Sequence, residues 1–468
     1  MKNINKLVIG LIMLMGVSSC SDYLDDPKPT DVLTAVDVYN SPEGVRAYFT
    51  GVYRMFRAQY TRTDAGGVYS FYYARSMKGN DLMQRSWYKW DYQHENREDN
   101  YTRTGFAWQF PYDVINHANT MIKEIAASTA LSDADKTLFT AEAKALRAYF
   151  YFQLYLEFYG EGLGLQTPPI YTEPVTEGGA MSDPAAFRQL IIDDINAAVA
   201  GLTDDRLDKS YINVAVAQGL KARILMAFNQ DWDQVEAAAL AACGGDAAAS
   251  LNASIYDTGF DDITNSEVIW GMYQTADQTN YYYSAPHVFS DFHNGPYKGM
   301  FVNANLVNSF SSTDVRYEFE NYYGVGPGHW AEYVTNKFQF SFEADMYLMR
   351  TAEMLLIAAE AKYRNSDASG AHDLLYALQL NRDPNAVKSA NTGADLLEEI
   401  LYERRKELYS EIGVEWFDAK RLGRGIDRDS HHLVEVDLEP NDKRFVLKVP
   451  EDEYNANENI DESVNDNR

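Results

Sequence analysis

Residues 396–425, LLEEILYERRKELYSEIGVEWFDAKRLGRG, decide how the rest of this chain is read. Leu397, Ile400, Leu401, Leu408 and Ile412 recur at helical spacing, and Gly413 stands where a chain leaves a helix in a left-handed conformation. A second helix starts after it. Arg404 projects from the middle of the apolar stripe with Glu407 and Glu411 near its edge, so these carboxylates are the expected partners of a buried guanidinium. Trp416, Phe417, Asp418 and Arg421 add rings and charges but no nucleophile or histidine, which favours a structural knot of ion pairs over a catalytic centre.

The same periodicity extends through much of the chain. Ser41-Pro42-Glu43 opens a helix to about Arg57, with a serine cap, proline in the first turn and an acid at the positive end of the dipole. Further helices are expected at Ala107–Ala127, Ser132–Tyr159, Asp183–Ala200, Ile212–Asn229 and Trp232–Ala242. A last helical group begins at Asp345, continues at Ala368–Leu380 and ends in the Leu396 helix. The expected fold is mostly α, a tetratricopeptide-like scaffold of helix pairs with loop-rich, partly β insertions. No clean 34-residue repeat is present.

The run Glu403-Arg404-Arg405-Lys406-Glu407-Leu408, then Glu411, Trp416-Phe417-Asp418 and Arg421, resembles the C-terminal signature of the SusD/RagB family, nutrient-binding lipoproteins of the Bacteroidetes outer membrane. Ala141-Glu142-Ala143 through Phe158-Tyr159-Gly160, Arg350 with Ala352-Glu353, and Val449-Pro450 to Asn459 are similar to other motifs of that family. The family's arginine-rich turn survives here only as Asn381-Arg382-Asp383-Pro384-Asn385-Ala386. The resemblance implies a helical scaffold whose loops bind an oligosaccharide, and delivery of that ligand to a SusC-like TonB-dependent transporter. It implies no enzymatic reaction and no cofactor. A peptide ligand as in the RagB branch, a glycoside hydrolase and a bare scaffold are the other readings.

The N-terminus fits that location. Lys2 and Lys6, the apolar run Leu7–Val17 and Ser18-Ser19 before Cys20 read as a lipoprotein signal peptide over residues 1–19. Cys20 is then the acylated first residue of a tether covering residues 20–40. Residues 41–468 form a single domain, with helical scaffold mainly at 41–60, 107–242 and 345–425 and a loop-rich ligand face mainly at 60–106 and 254–342. A formal charge of −28 argues against a nucleic-acid partner. Cys243, the other cysteine, reads as a small buried residue.

Aromatic residues crowd into Tyr60–Tyr112 and Ser254–Phe342, where helical periodicity is weakest. A sugar ring lays its C–H faces on Trp or Tyr and pairs its hydroxyls with Asp, Asn or Arg. The candidate ligand residues are therefore Asp81, Trp87, Trp90, Tyr92, Tyr101, Tyr282, Tyr283, Tyr297 and Trp330. Asp81 lies in Gly79-Asn80-Asp81, similar by position to the family's short acidic turn. The alternation in residues 337–342, KFQFSF, reads as a half-buried strand. His431-His432 with Glu435 and Asp437 fits no standard metal spacing, and neither a serine elbow, a phosphate loop nor a zinc-protease motif is present.

Overall fold

A computed structural model describes residues 38–57, 62–275, 285, 287–428 and 430–468. Helix α1 (Pro42–Met55) begins as its sequence requires, with the Ser41 hydroxyl accepting from the Gly44 amide at 3.1 Å. After α2 (Val68–Met77) come α3 (Thr102–Ala127), α4 (Asp133–Phe158) and α5 (Pro184–Gly201). They are followed by α6 (Val214–Ala227) and α7 (Trp232–Ala241). Ser132, Asp183 and Asn213 cap α4, α5 and α6 in the same way as Ser41. The C-terminal group is α8 (Thr351–Arg364), α9 (Ala368–Arg382), α10 (Ala394–Leu408), α11 (Val414–Arg421) and the short α12 (Glu451–Ala456).

Neighbouring helices pack in succession, α3 on α4, α4 on α5, α6 on α7, α7 on α8 and α8 on α9, so the expected helix-pair scaffold is present. Small residues set the spacing. A Cβ on Gly201 of α5 would lie 2.7 Å from the Cβ of Ala141 on α4, a separation no alanine could occupy without moving a helix. One hydrophobic core runs from Tyr39 to Val449, and a second joins Leu355 and Leu356 of α8 to Leu375 and Leu378 of α9 and Leu396 and Ile400 of α10.

Among the described residues, three two-stranded antiparallel sheets decorate the scaffold. They pair β1 (Leu82–Gln84) with β3 (Met300–Val302), β2 (Val268–Met272) with β6 (Met346–Arg350), and β4 (Phe319–Glu320) with β5 (Val334–Thr335). Strand β6 corrects the expectation of helix from Asp345. Its five residues are all buried and pair with β2, and a short apolar run carries no period that separates strand from helix. Helix α2 was hidden for a related reason: every one of its residues is buried, so it has no polar stripe to show a period.

Residues 337–342 are also not a strand. Their backbone amides go elsewhere, Gln339 to the Gly259 carbonyl at 2.9 Å and Phe340 to the Asp291 carboxylate at 2.8 Å. Lys337 is wholly buried, bonded to Glu411 at 2.7 Å with its ammonium 4.3 Å from the Tyr409 ring centre, and burial pushes its pKa down to about 8.

The stretch 396–425 forms the centre of the C-terminal half, with partners that differ from expectation. Arg404 is fully buried but bonds Asp418 of α11, at 2.9 and 3.3 Å. Glu407 instead receives Arg350 at 2.6 Å, Arg382 at 2.8 Å and Arg316 at 3.0 Å, while Glu411 takes both Arg350 and Lys337 at 2.7 Å. Glu267, just before β2, closes the network, with Arg350 and Arg382 each at 2.7 Å. The left-handed exit from α10 is Ser410, at φ 60°, and Gly413 at φ 72° begins α11. A Cβ on Gly413 would lie 2.3 Å from that of Arg75, so the turn meets α2 at backbone distance.

Candidate functional site

The β1–β3 ladder supports an exposed aromatic surface. Its register pairs Gln84 with Met300, and Arg85 continues it by donating its amide to the Gly299 carbonyl at 3.4 Å. Beyond the ladder the rings of Trp87 and Tyr297 meet edge to face with centroids 5.0 Å apart. Tyr88 is the anchor that turns its neighbours outward. It sits at φ 60°, its hydroxyl donates to the Thr63 carbonyl at 2.5 Å, and its ring edge packs on Tyr73 and Phe289. With Tyr88 held inside, Trp87 and Trp90 on either side remain 39% and 53% exposed.

From β3 the surface extends to the turn after β4. Phe301 meets Trp330 edge to face at 5.0 Å and Tyr323 at 5.9 Å, Tyr323 meets Tyr322 at 5.1 Å, and Phe292 packs beneath the two tyrosines. The turn carrying them is shaped by Asn321, whose side-chain amide bonds both the amide and the carbonyl of Val325. Arg85 and Lys298 complete the platform. The guanidinium of Arg85 lies 5.6 Å from the Tyr323 ring centre and donates to its hydroxyl at 3.3 Å. The ammonium of Lys298 lies 5.3 Å from Tyr322 and donates to its hydroxyl at 3.2 Å.

Of the expected ligand residues, Trp87 and Tyr297 meet each other, and Trp330 packs on Phe301 of β3. Trp90 and Tyr101 stack on each other 5.5 Å apart as a separate exposed pair. Tyr92 is fully buried, its hydroxyl 3.0 Å from Nδ1 of His432 and its ring 4.1 Å beneath Arg428, which makes it part of the scaffold. Asp81 is buried as well, with both oxygens held by Arg405 at 2.6 and 3.0 Å and Glu415 close by. Burial, opposed by Arg405, pushes the Glu415 carboxyl up to about 7. Tyr282, Tyr283 and Cys20 lie outside the described residues.

The sequence reading does not single out Tyr322, Tyr323 or Lys298, and the fully buried Phe301 serves as their support. The adjacent tyrosines beside a glycine-rich turn were the available signal. His432 bonds Asn303 at 3.1 Å as well as Tyr92, and the described residues contain no cluster of acids, histidines and cysteines able to hold a metal. Elsewhere a cavity of about 270 Å³ opens between α3, residues 171–178 and α12, where Trp108, Tyr112 and Tyr171 line it; it contains none of the expected ligand residues.

This geometry can hold a ring face against Trp87 or the tyrosines and offer hydrogen-bond donors from Arg85 and Lys298 beside it. The SusD family model matches residues 262–468, and a second, described as starch-binding associating with outer membrane, matches residues 22–216. Among solved structures the fold is similar to a SusD-like carbohydrate binding protein from Bacteroides vulgatus, with 22% identity, a TM-score of 0.80 and coverage of 90% of this chain and 97% of that one. It is also similar to surface glycan-binding protein A from Bacteroides uniformis, with 17% identity, a TM-score of 0.70 and coverage of 90% and 99%. A laminarin binding SusD-like protein gives 17% identity, a TM-score of 0.67 and coverage of 89% and 97%. No curated protein sequence matches this chain.

Proposed function

This chain belongs to the SusD/RagB family, and from that membership we propose that it is a cell-surface lipoprotein that captures an oligosaccharide and passes it to a TonB-dependent transporter in the same outer membrane. It acts by binding and performs no reaction. In this reading residues 1–19 are removed, Cys20 carries the lipid, residues 20–40 form the tether and residues 41–468 form one ligand-binding unit. Among the described residues no helix is long and apolar enough to cross a membrane, so attachment falls to the acylated cysteine.

The observation that carries the glycan reading is the platform of exposed Trp87, Tyr322 and Tyr323 rings, with the half-buried Tyr297 and Trp330 beside them. Tyr322 and Tyr323, 38% and 41% exposed, expose apolar ring area that the scaffold has not used for packing. A flat ring face beside cationic donors matches the two sides of a pyranose, one apolar and one hydroxylated. The test is a glycan array probed with wild-type protein and with Trp87→Ala and Tyr323→Ala. Glycan binding that both variants weaken, with the melting temperature retained, supports the reading. Binding only to peptides, or binding that neither variant alters, rejects it.

A further inference from the structure

We propose that the glycan taken by this platform is acidic, carrying carboxylate or sulfate groups; the inference rests on the glycan-binding reading above. The observation is a local reversal of charge. The chain has 69 acidic against 41 basic residues, yet the two cations that flank the exposed rings, Arg85 and Lys298, form no ion pair with any described residue and bond tyrosine hydroxyls instead. Two carboxylates that stand close in sequence to the platform rings are committed elsewhere. Glu320 is paired with His293 at 2.6 Å, and Asp291 accepts from the amides of His293, Asn294 and Phe340.

A tyrosine hydroxyl accepts one hydrogen bond from each cation and leaves its net charge unneutralised. Most of the donors of Arg85, five N–H in all, and two of the three on Lys298 then remain for a ligand. Solvent hydrates them now, and an anionic group on a bound sugar would replace that water with charge-assisted hydrogen bonds. Neutral hydroxyls would use the same donors more weakly. The overall negative charge of the protein does not exclude an anion here, because charges farther away than about 10 Å are largely screened at 0.1 M salt. Aromatic rings beneath the cations lower the local exposure to water and hold both side chains over the platform.

The experiment is affinity electrophoresis and calorimetry of the full-length protein in detergent against polygalacturonate and chondroitin sulfate, with laminarin and amylopectin as neutral probes. The expected result is preferential binding of an acidic probe that weakens as salt is raised. Arg85→Gln and Lys298→Gln should each lose about tenfold in affinity for that probe, the worth of one charge-assisted bond. Trp87→Ala should lose binding through its ring, with all three variants melting as the wild type does. Binding of neutral probes alone, or equal affinity of the two glutamine variants and wild type for an acidic probe, overturns the charge assignment and leaves the glycan reading standing. Failure of every probe, acidic and neutral, overturns both.

Discussion

The knot between α8 and α11 and the platform on β1 and β3 use the same residue types in opposite ways. In the knot, Arg316, Arg350, Arg382 and Arg404 are at most 1% exposed, and each guanidinium meets at least one carboxylate within 3 Å. On the platform, Arg85 is exposed and meets only rings and a hydroxyl. A cation withdrawn from water must be neutralised where it stands, whereas an exposed one is satisfied by solvent and stays free for a partner. The knot therefore commits its charges to the fold, while the Arg85 guanidinium keeps hydrogen-bond donors in solvent.

The strongest way to break this contrast is to mutate the knot. Glu407→Ala would leave three buried guanidiniums short of a carboxylate and should cost about 3 to 5 kcal/mol of stability. Arg404→Ala, which frees one side of Asp418, should cost about 3 kcal/mol. Urea unfolding measures both. An unchanged midpoint would mean that the knot is hydrated and no different from the platform.

Acid sharpens the same point. Burial alone would raise the Glu407 carboxyl, but Arg382, Arg350 and Arg316 override it and hold its pKa well below the ordinary 4.5. A carboxyl depressed on folding contributes stability that is fully present above its unfolded value and is lost as pH falls through the folded one. Wild-type stability should thus fall below pH 4.5, and Glu407→Gln should show a shallower fall. Platform variants should run parallel to wild type in this range. Urea midpoints taken across the acid range distinguish the slopes.

Next in size are the platform residues. Trp87→Ala and Tyr323→Ala should each weaken glycan binding by about 1 to 3 kcal/mol while moving stability little, since truncating a central binding aromatic acts on the complex. Calorimetry and thermal melts on the same samples separate the two effects. Large losses of stability would show that these rings are core, for which about 3 to 5 kcal/mol is usual.

The smallest effect belongs to Asp81, which was expected to bind ligand and is bonded to Arg405. Because Arg405 is 29% exposed, solvent weakens the pair, and Asp81→Asn should cost about 1 kcal/mol of stability or less. Its glycan affinity should equal wild type. A selective loss of affinity would restore Asp81 to the ligand surface.

How much of this was readable depended on what each signal reports. The amphipathic helices and their caps were legible at Ser41, Ser132 and Asp183, because a period of 3.6 and a capping side chain are local properties. Helix α2 and strand β6 were not, since uniform burial removes the period on which such reading relies. At the site, Trp87, Tyr297 and Trp330 were named from composition. Composition placed Tyr92, and the family resemblance Asp81, beside them equally well, and only burial distinguishes a tyrosine under Arg428 from one facing solvent.

The sequence by itself determined the helical scaffold, the family and the presence of a knot at residues 396–425, since each is carried by neighbouring residues or a contiguous motif. The tertiary structure alone decided which charge meets which. Arg404 bonds Asp418, fourteen positions away, and Glu407 is reached by Arg350 and Arg316 from distant parts of the chain. It also decided that Trp87 would meet Tyr297, beside a strand pair that joins segments more than two hundred residues apart. Both outcomes follow from the packing of several elements at once, because burial and pairing depend on what the other elements bring to the same place.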